Sequence, residues 1–178
     1  MHEIRVTLPS WVVEQVDYSA AFPTTESRMR VAIALARENV ERGTGGPFGA
    51  AVFERESGAL IAVGVNGVTR LKNSTVHAEM VALQLAERRI GSYSLSGDGH
   101  PAHELYSSCA PCAMCLGATL WSGVSRLSYA ATREDAERIG FDEGPVFEES
   151  YAYLEARGIS IVRGLLRTEG RAVLDRYQ

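Results

Sequence analysis

Apolar positions along this chain keep two different rhythms, and the switches between them outline a fold before any chemistry is considered. A short amphipathic stretch runs around Ser10 to Tyr18. Pro23 to Thr25 then introduces a helix whose stripe, Met29, Ile33, Ala36 and Val40, recurs at helical spacing until Gly43 stops it. Ala50 to Arg55 and Leu60 to Asn66 read as a hairpin turning at Ser57-Gly58. Thr75 is the expected N-cap of a second long helix that runs to about Ile90 and ends at Gly91. Strands at Glu104 to Ser108 and Arg126 to Ala131 flank a helix from Cys112 to Ser122. Helical segments at Arg133 to Ile139 and Phe147 to Ala156 precede a strand at Ile159 to Val162 and a last short helix near Gly170 to Tyr177.

The long helical connection between the last two strands bears on topology. Antiparallel neighbours need only a tight turn, whereas parallel ones need a crossover of about a dozen residues or more. Those strands are therefore expected to be parallel, within a mixed sheet covered by helices on both faces. No repeat, linker or low-complexity tract interrupts the 178 residues, so one domain spanning 1–178 is expected, with a core large enough to need no staples. The helix from Cys112 to Ser122 is apolar nearly all round, through Met114, Leu116, Ala118, Leu120 and Trp121. Such a helix is buried on more than one side, which predicts a subunit interface.

Charge and cysteine usage narrow the function classes. The net charge is -4 and Lys72 is the only lysine, so the arginines, spread among acids, read as a mixed solvated surface and not as a nucleic-acid face. Three cysteines make a disulfide framework an unfavourable reading. The start, from Met1 and His2 to Val6, has no basic region followed by an apolar run, and no later segment has the length of a membrane span. The expectation is a cytoplasmic chain with no membrane partner.

Within this frame, His77-Ala78-Glu79 and Pro111-Cys112-Ala113-Met114-Cys115 supply one imidazole, one carboxylate and two thiolates. His77, Cys112 and Cys115 make a three-ligand zinc set whose fourth tetrahedral position stays open to water. Glu79 is left over to move protons. Side chains in the first turn of a helix lean back past its N-terminus, so His77 and Glu79 can reach one point despite being two residues apart. Cys112 and Cys115 lie three apart on one face of another first turn. Two helix N-termini would then converge on the metal, favouring anionic ligands. His-x-Glu paired with Pro-Cys-x-x-Cys is the known signature of zinc-dependent nucleobase deaminases.

Other readings of the same residues are weaker. A thioredoxin-like Cys-x-x-Cys leaves His77 and Glu79 without a role. Cys109, Cys112 and Cys115 resemble part of an iron–sulfur set, but no fourth cysteine exists. A closed Cys3His zinc module without enzymatic activity needs Cys109 to turn inward, whereas its place before Pro111 at a strand end predicts that it points away. The glycine-rich Gly43 to Gly49 segment lacks the Gly-Lys-Ser/Thr ending of a phosphate loop, though Phe48 within it can line a pocket, since bases stack on aromatic rings. His2, His100 and His103 lack ligand spacing and read as solvent or turn histidines.

The chain resembles the cytidine deaminase superfamily and, within it, is similar to the bacterial guanine deaminases. The resemblance covers roughly Gly45 to Val162. It rests on Gly46-Pro47-Phe48-Gly49-Ala50, on Asn66 upstream of the His77 motif, on Cys112 to Ala118, and on Gly140-Phe141-Asp142-Glu143. It implies a three-layer α/β/α fold with a five-stranded mixed sheet, a homodimer, one Zn2+ per subunit, and a purine pocket. By the same resemblance Asn66 binds the base, Ala78, Phe141 and Asp142 join it with Phe48 at the substrate, and Glu143 contacts the base or carries protons to the leaving amine. Ala110 stands where the family usually has glutamate, and Asn73-Ser74-Thr75-Val76 replaces a common Asp-Pro-Thr-Ala. The implied reaction is deamination of a free base, guanine to xanthine and ammonia. Another aminopurine, a modified guanine, an s-triazine, and adenosine in tRNA are the alternatives.

Overall fold

The structure, a computed structural model, describes residues 3–97 and 99–177. His2 lies outside them. In chain order the elements are α1 (Ser10–Gln15), α2 (Thr25–Glu41), β1 (Gly49–Glu54), β2 (Leu60–Val65), α3 (Val68–Leu71), α4 (Ala78–Ile90), β3 (His103–Cys109), α5 (Ala113–Ser122), β4 (Arg126–Ala131), α6 (Arg133–Glu137), α7 (Glu148–Ala156), β5 (Ser160–Val162) and α8 (Arg167–Leu174).

The strands form one five-stranded mixed sheet in the order β2-β1-β3-β4-β5. β1 pairs antiparallel with both β2 and β3, whereas β3–β4 and β4–β5 are parallel, as the long crossovers require. Strand alternation then divides the core. Ala50 and Val52 of β1, with Leu105, Leu127 and Tyr129, face the layer built by α4, α5 and α7. Ala51 and Phe53, with Val63 and Tyr106, face Met29, Ala32 and Ile33 of α2 and Val173 of α8. The result is the expected α/β/α sandwich.

Local chemistry explains several boundaries. α2 opens with a reciprocal cap, Thr24 Oγ1 accepting from Ser27 N at 3.1 Å and Ser27 Oγ accepting from Thr24 N at 3.2 Å. α4 does not start at the expected cap. Thr75 N and Oγ1 both donate to Asn73 Oδ1, which closes a local turn, and the N-cap position falls to His77 in an extended conformation. α1 stops at Gln15 instead of reaching Tyr18, and α8 begins at Arg167, earlier than the apolar positions suggest. The short α3 carries no sequence signal of its own.

His103 also departs from its sequence reading. It is 1 % exposed at the start of β3, and its Nδ1 lies 2.9 Å from the Leu95 carbonyl oxygen. Beside it Glu104, fully buried, meets Arg28 at 2.8 Å, Arg126 at 3.0 Å and the Tyr106 hydroxyl at 2.9 Å. This ion cluster closes the end of β3 opposite the cysteines.

Candidate active site

β3 runs parallel to β4, and the chain leaves its C-terminal end into Pro111 and then α5, bringing Cys112 to the N-cap and Cys115 into the first turn. α4 starts beside it with His77 at the cap and Glu79 in the first turn. Both helix N-termini therefore face one point above the sheet, where their partial positive charge favours thiolate and carboxylate. The ligand atoms of His77, Cys112 and Cys115 all lie within 4.8 Å of one another.

His77 Nδ1 is 3.6 Å from Cys112 Sγ and 3.7 Å from Cys115 Sγ. Bond lengths of about 2.0 Å to nitrogen and 2.3 Å to sulfur give N···S edges of about 3.5 Å in a zinc tetrahedron. The donor set therefore fits zinc in type and in spacing. Cys109, by contrast, directs its sulfur at the Thr132 carbonyl, 3.6 Å away, and stays outside the cluster.

The protonation pattern follows from burial and from the short contacts. The Cys112 thiol is held down to about 4, first by the hydrogen bond from Cys115, whose own thiol is raised because it keeps that proton. His77 is raised, first through its contact with Cys112. Burial, the largest cause, raises Glu79, and it pushes Glu143 up to about 7 with help from the negative charge of Cys112.

A cleft of about 270 Å3 opens onto this cluster. Its walls include Phe48, Asn66, His77, Glu79, Cys112, Phe141, Asp142 and Glu143, so residues expected from five separate segments share one cavity. Phe48 and Phe141 meet edge to face with centroids 4.8 Å apart. Ala78 is fully buried and gives no side chain to the wall; it can offer only an N–H of the first helical turn.

Asn66 is fixed with unusual completeness. Its Oδ1 accepts from Gly46 N at 3.4 Å and Val68 N at 3.3 Å, which leaves the side-chain NH2 as the group free for a ligand. Its main-chain oxygen accepts from Asn39 Nδ2 at 2.9 Å. Gly45 must lack a side chain, because a Cβ there would lie 1.9 Å from the same oxygen.

A model of the cytidine and deoxycytidylate deaminase zinc-binding region matches residues 23–131, and that span contains the His77 motif, both zinc-type cysteines and Asn66. The chain belongs to that family. A guanine deaminase of Bacillus subtilis (strain 168) is 40% identical over 134 residues, covering 75% of this chain and 81% of the relative. A solved guanine deaminase from Nitrosomonas europaea superposes with a TM-score of 0.94 at 45% identity, covering 98% of this chain and 96% of the other. A tRNA-specific adenosine deaminase of Buchnera aphidicola subsp. Schizaphis graminum is more distant, 30% identical over 149 residues, which are 84% of this chain and 90% of that protein.

Three contributors to the site of this deaminase-family chain carry no sequence signature. Asn39 reaches Asn66 from the buried face of α2. Tyr177, beyond α8, lines the cleft and stacks at a tilt on Phe141, with ring centroids 5.8 Å apart. Ser107, on β3, donates to Glu79 Oε1 at 3.1 Å. Strand alternation could have placed Ser107 on the α4 side of the sheet, but not its register against Glu79.

Proposed function

We propose that this chain hydrolyses guanine to xanthine and ammonia, in a single deaminase domain holding one zinc per subunit through His77, Cys112 and Cys115. The observation that carries the reading is the shared cleft, in which a donor amide, Asn66, and a buried carboxyl, Glu143, flank the His77, Cys112 and Cys115 cluster. The guanine deaminases at 40% and 45% identity support the same choice of base.

Zinc bound there supplies the Lewis acidity that makes water a nucleophile near neutral pH. The chain's own side chains do the rest. Asn66, with its oxygen engaged by backbone N–H groups, donates to carbonyl and ring-nitrogen acceptors of the purine. Phe48 and Phe141 wall the ring and exclude water. Glu79 takes a proton from the attacking water and returns it to the ring nitrogen. As the new C–O bond replaces the C–N bond, Glu143 hydrogen-bonds the departing amine and helps carry its proton. Asp142 and the Ala78 N–H complete the contacts to the base.

The substrate is a free base, and no nucleic acid is bound. The acidic balance supports this, because phosphate contacts need a basic face. We place the enzyme in the cytoplasm; among the described residues no helix is long and apolar enough to cross a membrane. We also propose a homodimer through α5, where Trp121 is 79 % exposed and a groove between α5 and α7 is lined by Leu116, Leu120 and the 54 % exposed Tyr153. Sedimentation showing only monomer at micromolar concentration would refute the dimer.

A side-by-side ammonia assay over guanine, adenine, cytosine, cytidine and adenosine tests the activity. Guanine is expected to be the best substrate by a wide margin. Preferred turnover of cytidine would overturn the purine reading, and inosine formation in tRNA without ammonia from free bases would favour the rival reaction.

A further inference from the structure

We infer that Ser107 is a positioning residue for the reaction: its hydroxyl clamps one oxygen of Glu79 so that the other is presented to the reacting atoms. The inference rests on the assignment of Glu79 as the proton carrier, and no sequence motif points to it.

Ser107 sits in the middle of β3, paired with Ala50 on one side and Tyr129 on the other, so its backbone is held by both neighbouring strands. Leu105, two residues earlier, faces the α4 layer, and strand periodicity turns Ser107 to that same face. There it meets the first turn of α4. Ser107 is 1 % exposed and Glu79 6 % exposed. The 3.1 Å bond to Glu79 Oε1 is the partner shown for the Ser107 hydroxyl, so its proton has a defined acceptor on the buried side of Glu79.

The two carboxyl oxygens of Glu79 are thus in different surroundings. Oε1 is tied to the sheet, whereas Oε2 lies 3.4 Å from Cys115 Sγ, on the side of the zinc-type ligands. A carboxylate that must accept a proton at one place and deliver it at another close by works best with its plane fixed, because misplacement of about 1 Å can cost about 100-fold in rate. A serine hydroxyl suits this task. It donates to the carboxylate and can equally accept from a carboxylic acid, so it follows Glu79 through both protonation states without becoming unpaired.

The test is a double-mutant cycle on the zinc-loaded protein with whichever base it turns over fastest. Ser107→Ala is expected to keep bound zinc and melting temperature near those of the parent while lowering kcat about 10- to 100-fold, with KM changed less than about threefold. Ser107→Thr, which restores the hydroxyl, should recover most of kcat. In a Glu79→Gln background, Ser107→Ala should cost less than about twofold further, since the clamp acts only through Glu79. A crystal structure of Ser107→Ala should show Glu79 in more than one rotamer. An unchanged kcat in Ser107→Ala, or an equal loss with and without Glu79, would overturn the inference. Failure of the guanine assignment alone would leave the cycle intact, because it is run on the best substrate found.

Discussion

Gly64 of β2 and Ala78 of α4 touch backbone to backbone: a Cβ on Gly64 would lie 2.0 Å from the Ala78 carbonyl oxygen and 2.7 Å from Ala82 N. This close approach seats the helix that carries His77 and Glu79 directly on the sheet. Gly64→Ala must push the start of α4 outward. The expected outcome is a destabilisation of about 1–3 kcal/mol in chemical denaturation, together with weakened zinc retention after dialysis. Retention of full stability and activity would show that the helix can shift freely, against the packing argument.

Metal content tests the ligand set. Elemental analysis should find one zinc per chain; His77→Ala, Cys112→Ala and Cys115→Ala should each lose it. Cys109→Ser should keep it, because that sulfur is turned to Thr132. Loss of zinc in Cys109→Ser would restore the closed four-ligand alternative.

Glu79→Gln should bind zinc and fold normally while losing about 10^2- to 10^4-fold in kcat, the usual worth of a positioned acid/base. Steady-state ammonia release from the zinc-loaded variant measures it. Near-parental turnover would remove Glu79 from the mechanism.

Glu143→Ala and Asn66→Ala should cut kcat/KM for guanine severely while leaving zinc in place. A cleft built to hydrogen-bond its substrate discriminates by about 10^4 to 10^5 against analogues lacking those groups, so removing a cleft partner forfeits part of that margin. Silent kinetics in either variant would count against its contact with the base.

Asp135 predicts an acid-sensitive stability. The Arg167 guanidinium, through bonds of 2.9 and 3.1 Å, is the main cause holding this carboxyl down to about 2 from an ordinary 3.8. A depressed native value stabilises the fold above the ordinary one, and that contribution is lost as pH falls from 3.8 through about 2. Arg167 is half exposed, so solvent screening limits the effect to about 1–2 kcal/mol. Asp135→Asn should therefore lower stability at pH 7 by that amount and flatten this part of the acid limb in pH-dependent denaturation.

The sequence by itself determined which ligand-type side chains gather at one point and the order of the main elements. His77, Glu79, Cys112 and Cys115 were legible because each pair sits within one helical turn, where spacing alone sets which side chains meet. The parallel pairing of β4 and β5 was legible because a long crossover admits little else. Only the tertiary structure decided which residues support those groups. Ser107 reaches Glu79 across 28 positions of sequence and Asn39 reaches Asn66 across 27, contacts set by strand register and helix packing that leave no periodic trace. His103 looked like a turn histidine until β3 extended to include it and buried it against Leu95. Thr75 had the right chemistry for a cap, but its N–H and hydroxyl turn to Asn73 in a local turn ahead of the helix, so the capping position fell to His77, the residue the site needs at the helix end.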